Sequence, residues 1–338
     1  MDVLLVLPGG RGWGPIQRLA TLAAMAFEGQ LIQVSAQELP GRGAKIRMLM
    51  PAPTRSGGGE LLVIAPIPEH LNVILQSGLR GRYRRTIGWV IDSFWHERIP
   101  RVVSTRGWFT RLYVTDASDH KPWSERSAVP VGVLPWGSDV LNAGVSWSGK
   151  AIDLLRMGRQ PDSWDDDDRT QVLLQQRNSS LVFAGRPPFG QDDQETYHFA
   201  LEAYGRAKVV LAFSNTVHSA TYTHPEREYV TGRWTDAIAS GCLVAGVVPD
   251  TEAAALVVPK IARITVSPND LNAGLNQIVA ALGEYTKERY LHIRRHAAEY
   301  VDWHHRFVAI CKDLNIPVSA NLTLQLANLH KLADTEAR

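Results

Sequence analysis

Two acids and an arginine carry the first chemical argument. Glu228 and Asp236 stand with seven residues between them, and Gly232, Arg233 and Trp234 lie in that gap. The stretch opens with an apolar run from Val209 to Phe213, the length of a buried strand. A polar loop rich in Ser, Thr, His and Pro follows and ends at Glu228. A helix-spaced segment from Asp236 stops at Gly241, and a second apolar run, Leu243 to Val248, ends before Pro249. Strand, loop, helix, strand is the order of a parallel βαβ unit, and ligands of open α/β sheets bind at the carboxyl ends of such strands. Glu228 in the loop and Asp236 one turn into the helix can then face one pocket. The helix N-terminus beside them offers free N–H groups and partial positive charge to a phosphate. One site could hold sugar hydroxyls on the carboxylates and a diphosphate on the amides and Arg233. The same acids also suit a plain helix N-terminus, which favours negative charge.

A second candidate lies earlier. The strand Thr86 to Ile91 runs into Asp92-Ser-Phe-Trp-His96-Glu97, so a carboxylate or imidazole at its carboxyl end could accept a proton from an attacking hydroxyl. Each also fits a helix cap or a surface acid. The first strand, Val3 to Leu7, enters Pro8-Gly-Gly-Arg-Gly-Trp-Gly14. Its glycines miss the G-x-G-x-x-G pattern because Pro15 falls on the last position, and no Walker lysine follows. What survives is a loop at Gly9, Gly10 and Gly12 where backbone can approach a ligand. Arg80, Arg82, Arg84 and Arg85 put four arginines in six positions, suited to an anionic acceptor, a membrane surface or simply solvent. Asp165 to Asp168 invite a metal reading, but acids are favoured at a helix start, and no metal is expected.

These residues need a scaffold. A chain of 338 residues implies two domains, and 45% hydrophobic with 21% charged residues describes a globular protein with a full core. A net charge of +2 gives no reason to expect nucleic acid, and the two cysteines, Cys242 and Cys311, suggest neither a disulfide framework nor a zinc site. No leader or membrane span is visible, which points to the cytoplasm. Further strands are expected at Gln30 to Val34, Leu61 to Ala65, Leu112 to Thr115, Val129 to Leu134, Ile152 to Met157, Leu181 to Ala184 and Ile264 to Ser267. Helices are expected over Ile16 to Phe27, Leu271 to Gly283 and Tyr285 to Cys311, with a further one in the tail beyond Asn321. A polar stretch from Asn142 to Lys150 marks the boundary, giving domains 1–145 and 146–315 and a helical tail 316–338.

Two α/β halves, the second carrying an acid-x7-acid segment, resemble the GT-B glycosyltransferases, and more narrowly the retaining, family 4-like enzymes of group 1. There a strand ending in Gly-Arg opens the second Rossmann-like domain, matched by Gly158 and Arg159. A Ser-rich loop, the two acids, and a helix ending in Ala-x-Gly before a Val-rich strand follow, matched by Ser214, Glu228, Asp236, Ser240-Gly241 and Leu243-Val244. Similar relatives carry Pro-Trp-Gly-Ser-Asp at the junction, as at Pro135 to Asp139. The resemblance implies two Rossmann-like domains facing across a cleft. It also implies sugar transfer from a nucleoside diphosphate donor to a glycan, lipid-linked or small-molecule acceptor, with retention and no cofactor. Glu228 would contact the donor sugar and Asp236 the ribose. Arg159, Ser214, His218, Thr231, Gly232 and Arg233 would complete the donor site. The acceptor would lie on the N-terminal side near Gly9, Gly10 and Gly12, and the arginine cluster would touch the inner membrane face.

This chain departs from the pattern at the second acid, Asp in place of Glu, and at a diphosphate-binding Lys that is missing after Gly158-Arg159. Arg186 or Arg156 would stand in for it. An inverting enzyme would need a general base, for which Asp92 or His96 is the candidate. A sugar-nucleotide epimerase using His218 and His224, and a non-catalytic nucleotide-sugar-binding protein, share the layout.

Overall fold

The structure, a computed structural model, describes residues 1–39, 57–76, 79–144, 146–217, 220 and 223–335. The chain divides into two compact units: Met1–Pro135 with Arg306–Gln325, and Trp136–His305 with Leu326–Arg338. The division falls upstream of the polar stretch at 142–150 because the residues after Pro135 are tied to the second unit. Ser138 Oγ donates to Asp236 at 2.6 Å, Val140 N–H donates to Asp302 at 2.9 Å, and Arg294 donates to the Ala143 carbonyl at 2.8 Å.

The first unit is built on strands β1 (Asp2–Leu7), β2 (Leu31–Ser35), β3 (Glu60–Ala65), β4 (Arg85–Val90), β5 (Arg111–Val114) and β6 (Val131–Val133). All pair in parallel, in the order β2-β1-β3-β4-β5-β6. Helices α1 (Gly14–Ala26), α2 (Leu79–Arg82) and α3 (Ala117–Arg126) belong to it. Strands buried on both faces read as unbroken apolar runs, and Leu61 to Ala65 are wholly inaccessible. In α1, Ile16, Leu19, Ala20, Ala23 and Ala26 recur at helical spacing and are buried, and Pro15 starts the helix where its missing N–H costs nothing. Residues 306–325 return to this unit. Phe307 stacks edge-on against Phe27 at 5.4 Å between ring centres, and Asp313 pairs with Arg111 at 2.7 Å. The Leu314 carbonyl accepts from Arg85 at 2.5 Å, and Ser319 Oγ donates to the Ala26 carbonyl at 2.5 Å.

The second unit holds β7 (Ile152–Arg156), α4 (Asp167–Arg177), β8 (Phe183–Ala184), α5 (Asp193–Arg206), β9 (Ala207–Leu211), α6 (Gly232–Ala239) and β10 (Leu243–Gly246). It continues through α7 (Glu252–Val257), β11 (Arg263–Thr265), α8 (Leu271–Gly283) and α9 (Lys287–His296). The last helices of the chain are α10 (Trp303–Leu314) and α11 (Ala320–Thr335). The strands pair in parallel in the order β11-β10-β9-β7-β8. Counted from its own first strand, each sheet therefore runs second-first-third-fourth-fifth, a doubly wound order with its switch point between first and third strands.

One expected helix is broken. Between α9 and α10 the chain makes a wide turn at Ala297–Val301, and Asp302 is extended. Its carboxylate accepts the His304 N–H at 2.8 Å and the Val140 N–H at 2.9 Å, so Asp302 caps α10 and interrupts the run. Such a cap contributes about 1 kcal/mol. Lys150, at the end of the polar stretch, is itself buried. Its ammonium donates to the carbonyls of Ala207 and Ser240 at 2.7 Å each and of Tyr204 at 3.3 Å, which satisfies a charge that would otherwise be costly to bury.

Candidate functional site

In the second sheet the switch point lies between β7 and β9, so the loops leaving those strands form its crevice. The loop after β7 turns at Gly158, whose φ of +74° suits glycine. A Cβ there would sit 3.1 Å from Cζ of Arg233, so the same glycine lets that guanidinium approach. Arg233 lies in the first turn of α6 and donates to the Arg159 carbonyl at 3.4 Å. Thr231 precedes the helix in extended backbone, and its side chain makes no capping bond. Arg159, Gly232, Arg233 and a helix N-terminus are thus gathered at one edge, where an anion is favoured.

The loop after β9 begins with Ser214, whose hydroxyl donates to Glu228 Oε1. Thr216 donates to the same oxygen at 2.8 Å, and the Asp250 N–H, after β10, donates to Oε2 at 2.6 Å. Burial raises the Glu228 carboxyl, but the bonds from Ser214, Asp250 and Thr216 outweigh it and hold it below the usual range. Glu228 is an anion at neutral pH, half-buried and pinned. Asn215 folds the loop on itself through the carbonyls of His224 and Arg227, at 2.8 and 2.9 Å. His224 is turned inward: Nδ1 accepts from the amides of Glu226 and Arg227, and Nε2 meets the Arg227 guanidinium at 2.9 Å. With both ring nitrogens engaged, His224 serves the loop. His218 lies outside the described residues.

Asp236 is held by different neighbours from Glu228. Its Oδ1 accepts from Ser138 at 2.6 Å and from Tyr197 of α5 at 3.2 Å, while Thr235 donates to the Gly137 carbonyl at 2.8 Å. Burial pushes the Asp236 carboxyl up to about 7, the two hydroxyls oppose the rise, and Asp139 adds to it. Among the described residues Oδ2 makes no hydrogen bond, which leaves it able to meet a ligand. Arg186, after β8, stacks over Phe189 at 4.1 Å. Arg156 is bound to Asp165 and, at 3.0 Å, to Asp167, while Asp166 caps α4 through the Arg169 N–H at 2.9 Å. The acid run is therefore engaged in pairing and capping. Among the described residues no group of three or more His, Cys, Asp or Glu is placed to hold a metal ion. A cavity of about 300 Å³ opens on the loops after β7, β9 and β11, lined by Pro161, Asp162, Ser163, Val217 and Asn269.

In the first unit, Gly9, Gly10 and Gly12 leave β1 fully exposed. Gly10 and Gly12 have φ of +96° and +100°, and a Cβ on any of the three would meet nothing within 4 Å. Conformation requires glycine at Gly10 and Gly12, and crowding does not. At the end of β4, burial pushes the Asp92 carboxyl up to about 7 against the pull of Arg98. His96 Nε2 lies 2.6 Å from Asp119 Oδ1 of α3, and Ser93 donates to Asp119 Oδ2 at 2.5 Å. Of the arginine cluster, Arg84 and Arg85 both turn to Glu60, at 2.8 and 2.7 Å.

The chain overlies the crystal structure of Anabaena HepE in complex with UDP and glucose with a TM-score of 0.57 at 11% identity. The match covers 93% of this chain and 99% of that one. The complex of the same protein with UDP-glucose gives 0.56 at 12%, over 93% and 99% of the chains. The lipopolysaccharide outer core galactosyltransferase WaaB in its apo form gives 0.47 at 10%, over 93% and 100%. The fold is that of the GT-B glycosyltransferases. No family model matches the chain, and no curated protein is similar to it in sequence.

Sequence reading of this GT-B chain missed Asp119, Ser93 and Tyr197. The first two bond to one another and, through Asp119, to His96, and nothing in their spacing announces it. Tyr197 sits on α5, a helix whose start was legible in Asp192 and Glu195: Asp192 accepts the Glu195 N–H at 2.8 Å as its cap. No helix among the described residues is long and apolar enough to cross a membrane.

Proposed function

We propose that this protein transfers a glycosyl group from a nucleoside diphosphate sugar to an acceptor hydroxyl, with the donor held by the second unit. The carrying observation is the pair Arg159 and Arg233, gathered around Gly158 beside the start of α6. As the glycosidic bond breaks, negative charge grows on the departing diphosphate, and prepositioned cations stabilise it most at that moment. The arginines supply the charge a divalent ion would otherwise bring, so no metal is needed in this reading. Glu228, an anion at neutral pH, accepts hydrogen bonds from donor-sugar hydroxyls, and Asp236 Oδ2 accepts from the ribose. Ser214, Thr231 and Gly232 complete the donor edge, with Arg186 in place of the missing lysine. The 300 Å³ cavity takes the base. The likeness to HepE, a protein seen with UDP-glucose, supports a uridine nucleotide as the first donor to try.

The acceptor is a glycan, lipid-linked or small-molecule hydroxyl bound through the first unit, whose loop at Gly9, Gly10 and Gly12 lets backbone approach it. The arginines of the 80–85 segment meet an anionic membrane only weakly, since Glu60 already holds Arg84 and Arg85. With both His224 nitrogens committed to its own loop, the epimerase reading loses its described imidazole.

Thermal unfolding against UDP, GDP, TDP, CDP and ADP tests the donor site. A diphosphate at about 100 times its dissociation constant stabilises by about 2.7 kcal/mol. Protection by one of them that Arg159→Ala or Arg233→Ala abolishes is the expected result. Protection that survives both variants overturns the assignment.

A further inference from the structure

We propose that Ser138 and Tyr197 are positioning residues of the donor site: by occupying Oδ1 of Asp236 they leave Oδ2 to the ligand and keep it an acceptor for the ribose hydroxyls. The assignment rests on the donor reading above and deepens it, and every residue it uses belongs to the second unit.

Two hydroxyls from distant parts of the chain meet on one oxygen. Ser138 Oγ donates to Asp236 Oδ1 at 2.6 Å, and the Tyr197 hydroxyl donates to the same atom at 3.2 Å. Ser138 is 1% exposed, and its backbone is held in both directions. Its N–H donates to the Val301 carbonyl at 3.1 Å, and its own carbonyl accepts the Trp303 N–H at 3.1 Å. The residue before it is fixed as closely. The Gly137 carbonyl accepts from Thr235 at 2.8 Å, and a Cβ on Gly137 would lie 2.5 Å from the Val301 oxygen. The Trp-Gly-Ser-Asp segment thus has a use: it brings one hydroxyl against α6. Tyr197 brings the other from α5, where burial and the neighbouring Asp236 keep its phenol protonated and so a donor.

This geometry decides where a proton on Asp236 sits. An oxygen that accepts two O–H donors has no room for a hydrogen of its own, so a protonated Asp236 carries it on Oδ2. Oδ2 makes no hydrogen bond among the described residues, and protonation would turn it from acceptor into donor. Burial pushes the carboxyl up to about 7, Ser138 and Tyr197 pull it down, and Asp139 pushes it up. The other ionisable groups close by are Tyr204 of α5 and Arg233 of α6. Without the two hydroxyls the carboxyl would keep its proton to higher pH, and the ribose would meet an O–H where it needs a lone pair. Hydroxyls that merely satisfied a buried acid would serve it better with one on each oxygen. Here both converge on one oxygen and spare the other.

The affinity of the full-length protein for UDP, or for whichever of GDP, TDP, CDP and ADP protects in its place, tests the assignment. It is measured by calorimetry from about pH 5.5 to about pH 8.5 in wild type, Tyr197→Phe and Ser138→Ala. The ligand's own ionisation is common to all of them and cancels in the comparison, and Tyr197→Phe keeps the ring and its packing. At about pH 6 each variant should bind about three- to tenfold more weakly than wild type, the scale of one lost hydrogen bond. Above about pH 8 the gap should largely close, because the carboxyl is then ionised with or without its partners. A loss of equal size at every pH would mark a structural role and overturn the proposal. Wild-type affinity in both variants, or a gap that widens as pH rises, would overturn it too. Absence of binding of any of the five diphosphates to the wild type would bring down the donor reading and this proposal together. Binding that Arg159→Ala abolishes but Tyr197→Phe and Ser138→Ala leave unchanged would bring down this proposal alone.

Discussion

After β1 the chain leaves the first sheet through Gly9, Gly10 and Gly12, exposed, where an added Cβ would meet nothing within 4 Å. After β7 it leaves the second sheet through Gly158, packed against the guanidinium of Arg233, with Arg159 next in line. Both loops follow the first strand of the same doubly wound order, at the same switch point. One presents open glycine backbone with Arg11 exposed within it, and the other packs a guanidinium against its glycine. The contrast repeats further along the sheets: after β4 the first unit sets an imidazole, His96, against Asp119, and the second pins a carboxylate, Glu228, between the loops after β9 and β10. A shared fold thus fixes where ligands bind, and the side chains at the loops decide what they are.

The largest test of this division is the loss of a cation. Arg159→Ala and Arg233→Ala should each lower transfer by about 10²-fold or more, the scale seen when one prepositioned donor is removed from a developing anion. Alanine at Gly9 should leave diphosphate protection unchanged. If Gly9→Ala abolished protection as well, the two loops would not be doing different work.

The layout was legible because it rests on apolar runs, which local sequence shows directly. The runs Val3 to Leu7, Leu61 to Ala65 and Val209 to Phe213 fall on β1 (Asp2–Leu7), β3 (Glu60–Ala65) and β9 (Ala207–Leu211). The resemblance, and not the spacing, put Gly158-Arg159 and Arg233 in one place, and in the structure Arg233 reaches the Arg159 carbonyl at 3.4 Å. The break at Asp302 was hidden because its carboxylate, besides capping α10, is held by the Val140 N–H, far away in sequence. Asp119 was hidden for the same reason: its role is set by a partner on another element, and no periodicity marks it.

Acidity makes a second comparison, since each unit buries one acid whose carboxyl is pushed from 3.8 up to about 7, Asp92 in the first and Asp236 in the second. An acid raised on folding keeps its proton in the folded chain at pH values where the unfolded chain has lost it. The folded chain then binds more protons across that window, so stability falls as pH rises through it. Asp92→Asn and Asp236→Asn should each flatten the decline in Tm between about pH 4 and pH 7. If only one flattens it, that unit alone carries the buried acid.

A smaller effect separates the glycines. Gly10→Ala and Gly158→Ala both place a Cβ in left-handed backbone, at a cost of about 1–2 kcal/mol read by denaturant unfolding. Only Gly158→Ala should also weaken diphosphate protection, because it alone displaces a guanidinium. Equal loss from both would erase the distinction drawn between the loops. The smallest effect belongs to Arg84, which is 66% exposed in its pair with Glu60. Arg84→Ala should change stability by less than about 1 kcal/mol, and sedimentation with anionic vesicles would show whether it matters at a membrane.

The return of residues 306–325 to the first unit bears on the order of events during synthesis. Domains generally fold as they emerge, the N-terminal one first. Here Phe27, Arg85, Arg111 and the Ala26 carbonyl wait for Phe307, Leu314, Asp313 and Ser319. The unit that starts the chain is therefore completed only after most of the second has been made, and the second in turn waits for Leu326–Arg338. A stop codon placed just after His305 would take Arg306–Gln325 from the first unit and Leu326–Arg338 from the second, so a truncation at one end of the gene damages both.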